Sequence, residues 1–287
     1  MNEMGDTDRP IYLADILLPL REHWLKILAA ALLGGIIAAA VAFYMPPIYR
    51  AEVLLAPVDK REVAGGLSGL GGQLGAVGAL ISGSALTAGS GEEALATLGS
   101  RALAQEFIVE MELMPVLFED VWDIESAEWK VSEDDVPTLG QAFKFFDKKV
   151  RSIDQEWGNG LVLLVIEWRD PVLAKEWANA FVDKANRTMR ASAAADAAKN
   201  IEYLEDELKK TNVMEVRQAV YSVMESQMHE IMLANVQEEY AFKVIDPAVV
   251  PDPGDYVRPK RLRIIILGLL IGFLAVAIPY ISIHQRL

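Results

Sequence analysis

Two uninterrupted apolar runs frame the chain. Leu25 to Met45 reads LKILAAALLGGIIAAAVAFYM, with Lys26 its only charge, and Ile264 to Ile283 reads IIILGLLIGFLAVAIPYISI, with none. Each is about 20 residues, enough at 1.5 Å per residue to cross a hydrocarbon core roughly 30 Å thick. Core helices of water-soluble proteins rarely stay apolar on every face for so long. Both runs are therefore expected to span a membrane. Pro46-Pro47 ends the first helix, because proline lacks a donor and clashes with the preceding turn. Trp24, Tyr44 and Tyr280 lie near the edges, where aromatic rings favour the interface. The first run starts too late, and lacks a cleavage site, for a removable signal, so it reads as an uncleaved anchor. The expected division is a tail (1–24), a first span (25–45), a large middle domain (46–263), a second span (264–283) and a short end (284–287).

The middle domain carries the charge. Of 27 Lys and Arg, all but Arg9, Arg21, Lys26 and Arg286 lie in it, as do all Asp and Glu outside the N-terminal tail. A net charge of −14 argues against nucleic acid, whose phosphates need clustered Lys and Arg. The absence of cysteine excludes disulfides and thiolate ligands, and His23, His229 and His284 are too scattered to suggest a metal site. No cofactor is expected.

Residues 65–91 hold ten of the 20 glycines inside a run free of charge from Glu62 to Glu92. A third span here would return the following residues to the side of the N-terminus. It would also settle the positive-inside count: Arg9, Arg21, Lys26 and Arg286 flank the outer ends of the spans, whereas Arg50, Lys60, Arg61, Arg258, Lys260, Arg261 and Arg263 flank the inner ends. The glycines weigh against it, each costing a helix interior roughly 1 kcal/mol relative to alanine. Only Pro46 to Glu62 would then remain as an outer loop. Gly89 to Ala94 spells G-x-G-x-x-A, but no strand runs into it, and Glu92 and Glu93 would repel a pyrophosphate. Ser90 and Glu93 read instead as a capping box for the next helix. The segment is a connector.

Beyond it, Ile48 to Ala56 reads as a strand, and Glu92 to Leu113 as one helix stopped by Pro115. Asp120 to Pro137 reads as an irregular acidic loop in which Glu133-Asp134-Asp135 is solvated. Gly158-Asn159-Gly160 separates two β-prone runs, at about 149–156 and 161–168, and marks a hairpin. Asp170 caps a helix with Pro171 at its first position, and no glycine or proline interrupts residues 171–210. Trp177, Phe181, Ile201, Leu204 and Leu208 mark its apolar stripe, and its Ala-rich middle, 191–198, suits packing against copies of itself. A second helix is expected over 214–239, with Met214, Met224, Met228 and Met232 filling packing gaps rather than binding copper. Tyr240 to Ile245 reads as a returning strand, followed by a proline-rich connector. Arg258, Pro259, Lys260 and Arg261 form a membrane-proximal basic motif, read equally as a headgroup contact or as interfacial anchoring. Gly268 and Gly272 form a GxxxG pattern permitting close helix pairing in the membrane.

The order of segments resembles the Wzz-type chain-length determinants, the polysaccharide co-polymerases. It rests on RAEVLLAP after the first span, the glycine-rich loop, EEALATLGSRALAQEFI with MPVLF, IEWRDPVLAKEWANAFVDKAN, VQEEYAFKVIDPAVVPD and the RPKR before the last span. The resemblance implies an α+β fold, in which two transmembrane helices flank a periplasmic domain with a small mixed β-sheet base and long α-helices. It implies a two-pass protein of the bacterial inner membrane, forming a homo-oligomer beside a polysaccharide polymerase and its lipid-linked glycan. Larger relatives continue into a tyrosine kinase, and this sequence is expected to be the short form without one. The function it implies is non-enzymatic: a scaffold regulating the chain length of O-antigen, capsule or exopolysaccharide. The alternative is an adaptor of a polysaccharide export system. The uncharged stretch 65–91 is then expected against neighbouring subunits or the inner wall of the assembly, and membrane lipids are expected partners.

Overall fold

The computed structural model describes residues 24–58, 90–155 and 160–284. Most of the glycine-rich segment and the N-terminal tail fall outside them, as does the side chain of Ser90, so the Ser90–Glu93 cap lies outside the described residues. The fold is α+β, with an apolar helix near each end, a small sheet and long helices. It divides into two compact units, one of residues 1–49 with 253–287 and one of 50–252.

In the first unit, α1 (Trp24–Tyr44) and α8 (Arg261–His284) are long and apolar enough to cross a membrane by length and composition. β1 (Ile48–Pro57) begins three residues after α1, once Pro47 has passed. Its first residues pair antiparallel with β7 (Tyr256–Arg258), Ile48 opposite Arg258 and Tyr49 opposite Tyr256.

The second unit is built on the sheet β4-β5-β1-β6, where β4 is Arg151–Gln155, β5 Val162–Trp168 and β6 Phe242–Asp246. β4 and β5 form the antiparallel hairpin that Gly158-Asn159-Gly160 signals; Gly160 adopts φ of 71°, which a side chain would resist. β1 alternates, burying Ala51, Val53 and Leu55 while exposing Arg50 and Glu52, as a strand with one face on a core must. Against this sheet lie α2 (Ser90–Gly99), α3 (Arg101–Glu110), α5 (Leu139–Phe145) and the first third of α6 (Pro171–Lys210). Phe107, Phe146 and Phe181 meet at the centre, with the Phe107 and Phe181 rings edge-to-face at 5.1 Å. Trp168 packs on Trp177 at 5.0 Å.

The structure corrects four expectations. The helix expected over Glu92 to Leu113 is two, α2 and α3, because Ser100 leaves the helix with ψ of 151° and its Oγ accepts from the Leu103 amide. Pro115 does not stop a helix but sits in the first turn of the short α4 (Met114–Leu117), where no amide donor is needed. The acidic loop contains a two-stranded ribbon, β2 (Trp122–Asp123) with β3 (Glu128–Trp129), held by the edge-to-face rings of Trp122 and Trp129 at 4.8 Å. Finally, α7 (Met214–Val236) ends before Glu239, and Met214, Met228 and Met232 are exposed rather than filling gaps, since α7 buries only Ala234.

Candidate functional site

The GxxxG glycines find their partner inside the chain. A Cβ placed on Gly34 would stand 2.5 Å from the Gly268 carbonyl oxygen and 3.1 Å from Gly272 Cα. One on Gly268 would strike the Ala38 Cβ, and one on Gly272 would strike the Ala30 carbonyl and stand 3.1 Å from Ala31 Cα. Backbone therefore lies against backbone along α1 and α8, the approach that small residues allow in a membrane. Gly35 adds a second contact, since its missing Cβ leaves room for the Leu269 side chain. Sequence reasoning singled out Gly268 and Gly272 but missed their partner, the Gly34-Gly35 doublet, whose register against α8 only folding reveals.

The basic motif lies where β7 gives way to α8. Arg258 closes β7 and Pro259 follows it. Lys260 and Arg263 are directed to solvent. The Arg261 guanidinium lies over two rings, 4.8 Å from the Phe43 centroid and 4.7 Å from the Tyr256 centroid. Cations attract ring faces at such distances. Among the described residues, the buried Nε of Arg261 meets no hydrogen-bond acceptor.

In the second unit, polar side chains tie α6 to the returning chain. Asp170 caps α6 by accepting from the amides of Val172 and Leu173. About two turns apart on α6, Asn179 and Asn186 each act as a backbone surrogate. Asn186 Oδ1 accepts from the Ala241 and Phe242 amides at 2.9 and 2.8 Å, and its Nδ2 donates to the Phe242 carbonyl at 2.9 Å. Asn179 exchanges the same pair of bonds with Ala248 at 3.1 Å each way. Sequence reasoning missed both, because a lone asparagine on an alanine-rich helix looks like any solvated residue. Buried Arg151 donates to the Leu98 and Gly99 carbonyls and to Asp147, and so ties the C-terminal end of α2, where carbonyls lack helical partners, to the sheet.

Two ion-pair groups flank these ties. Arg50 donates to the buried Glu167 through Nε and an Nη, at 3.0 and 2.7 Å, and that hydrogen bond holds its guanidinium pKa above the ordinary value. Lys184 bridges Glu106 and Glu110, and Arg187 meets Glu110 at 2.7 Å. The bond from Lys184, then that from Arg187, keeps the Glu110 carboxyl below its ordinary value, and Glu110 raises Lys184 in turn.

A cleft of about 320 Å³ opens between α6, α7 and α2, lined by Glu93, Thr97, Ser192, Asp196, Asn200, Gln227, Glu230 and Tyr240 among others. Asn200 donates to Gln227 and the Tyr240 hydroxyl donates to Glu230, so its polar groups largely serve one another. Among the described residues, no three His, Asp or Glu converge to hold a metal.

A family model described as chain length determinant protein, Wzz, matches residues 10–111. Over that stretch, this chain resembles the chain length determinants. The match takes in the first apolar run, the β1 strand and EEALATLGSRALAQEFI, and it ends before Met114-Pro115. A solved full-length bacterial polysaccharide co-polymerase aligns with 96% of this chain and 98% of its own, at 11% identity and a TM-score of 0.46. No curated protein matches the chain.

Proposed function

We propose that this chain is a two-pass scaffold of the bacterial inner membrane that regulates the length of a surface polysaccharide without catalysing its synthesis. The observation that carries the reading is the chain length determinant match at residues 10–111, which joins the first apolar helix and the strand leaving it into one recognisable unit. Two apolar helices packed glycine to glycine, with an acidic α+β unit between them in sequence, supply an architecture suited to that task. In this reading α1 and α8 cross the membrane and residues 46–263 lie in the periplasm. Copies of the chain assemble around or beside the polymerase and its lipid-linked glycan, and the dimensions of the assembly bias when extension stops. A large domain translocates largely regardless of its charge, which accommodates the basic residues at the inner ends of the spans.

The test is to delete the protein from its host and resolve the surface polysaccharide by gel electrophoresis. A broadened or shifted length distribution supports the regulator. An unchanged distribution refutes it, and complete loss of surface polymer assigns the chain to export instead.

A further inference from the structure

The start of α8 is electrostatically the wrong way round. A helix N-terminus carries a partial positive charge, and cations there are disfavoured. Yet Lys260, Arg261 and Arg263 crowd the first turn of α8, with Arg258 just before it. Among the described residues, Lys260, Arg261 and Arg263 have no carboxylate within ion-pair distance. The nearby Asp255 is exposed and pairs with none of them. Among the described residues, no carboxylate offsets the repulsion of Lys260, Arg261 and Arg263 for one another and for the helix end.

Arg261 is held rather than splayed. Its guanidinium lies over Phe43 at the end of α1 and over Tyr256 on β7, and its buried Nε finds no acceptor among the described residues. A buried N–H donor without an acceptor is costly, and a guanidinium fork matches the paired oxygens of a phosphate as it does those of a carboxylate. The rings fix the fork, the helix end adds its own positive potential, and two exposed cations flank it.

We propose that Arg261, flanked by Lys260 and Arg263, forms a binding site for the phosphate of a lipid headgroup at the start of α8. The proposal rests on α1 and α8 crossing a membrane, which places this turn at headgroup depth. It deepens that reading, because cations that run against the positive-inside count then serve as ligands. The phosphate comes from a bulk anionic phospholipid or from the pyrophosphate of a lipid-linked glycan.

The test titrates the purified, delipidated full chain with phosphatidylglycerol, a polyprenyl pyrophosphate and phosphatidylcholine, and counts bound lipid by native mass spectrometry. Both anionic lipids are expected to bind well ahead of phosphatidylcholine. Arg261→Ala should weaken them about tenfold, as loss of a charge-assisted fork implies. Arg261→Lys, which keeps the charge but loses the fork, should recover only part of this, whereas Arg263→Gln should weaken binding about fivefold. If the polyprenyl pyrophosphate displaces phosphatidylglycerol, the lipid-linked glycan is the source; if the two compete equally, the bulk membrane is. Phosphorus NMR on the unmutated chain needs no variant to fold: a perturbed phosphate resonance for the anionic lipids alone is expected. Equal binding of phosphatidylcholine, or anionic binding indifferent to both Arg261 substitutions, overturns the proposal. Because the readout is lipid on purified protein, it stands apart from any change in polysaccharide length.

Discussion

Asn186 shows how much one side chain can hold. It is 4% exposed and satisfies two amides and one carbonyl of the chain returning into β6. Asn186→Ala would strand all three in the interior, and an unmet buried group costs about 1–3 kcal/mol. A loss of about 3 kcal/mol is expected in the thermal unfolding of the solubilised chain, with hydrogen exchange rising first at Ala241 and Phe242. Asn186→Asp keeps the acceptor and, at pH low enough to protonate it, can offer an O–H to the Phe242 carbonyl, so there it should lose less than Asn186→Ala. Glu110 makes a smaller claim, with a definite sign. Its folded pKa lies below the ordinary 4.5, so its contribution is present above that value and is lost as pH falls through the folded one. Lys184 lies above the ordinary 10.5, so its share is present below that value and is lost only as pH rises beyond it. Glu110→Gln should therefore cost about 0.5 kcal/mol at neutral pH, the scale of a partly exposed pair. As pH falls through the folded pKa of Glu110, the difference between the variant and the parent should vanish.

Among the elements, what the sequence discloses depends on how local the cause is. The 40-residue α6 was legible because its start, Asp170-Pro171, is a local signal and nothing inside 171–210 breaks it. The break at Ser100 was not, because its cap lacks the downstream Glu or Gln that makes a capping box conspicuous, and Gly99-Ser100 reads as a mild interruption. The complete box instead falls at Thr138 and Gln141, where it starts α5. Ser100→Ala should cost about 1 kcal/mol and extend helical hydrogen-exchange protection no further than α2. The GxxxG of α8 was visible as a pattern, but Gly34 and Ala30 lie over 200 residues away and only folding reveals their register. Gly268→Leu should cost about 1–3 kcal/mol through overpacking, read as a lowered thermal midpoint in detergent. The basic motif was legible as charge, whereas the ring contacts of Arg261 to Phe43 and Tyr256 were not, since Phe43 belongs to the other end of the chain.

At the scale of the whole molecule, the apolar surface of α7 is the feature that the described residues leave open. Val216, Tyr221, Val223, Met228, Met232 and Val236 are all exposed on a helix whose partner, α6, buries only a single alanine of it. In the proposed assembly such a surface is where neighbouring copies meet. Met228→Glu with Val223→Glu should leave the thermal midpoint nearly unchanged and reduce the mass measured by light scattering. An unchanged mass places the contact elsewhere. Orientation is a separate question: an alkaline phosphatase reporter joined at Asp134 is expected to be active, as it is only in the periplasm, and silence there would return this unit to the cytoplasm.

One connection has a mechanical meaning. α1 runs into β1 across three residues, β7 runs into α8 across two, and β1 and β7 are hydrogen-bonded to each other. The apolar helices are thus yoked at one end by strand pairing and along their length by glycine contacts. Neither can turn about its axis or slide past the other without breaking that pairing. A torque applied to either helix is transmitted to both, so the pair responds to its surroundings as a single shaft.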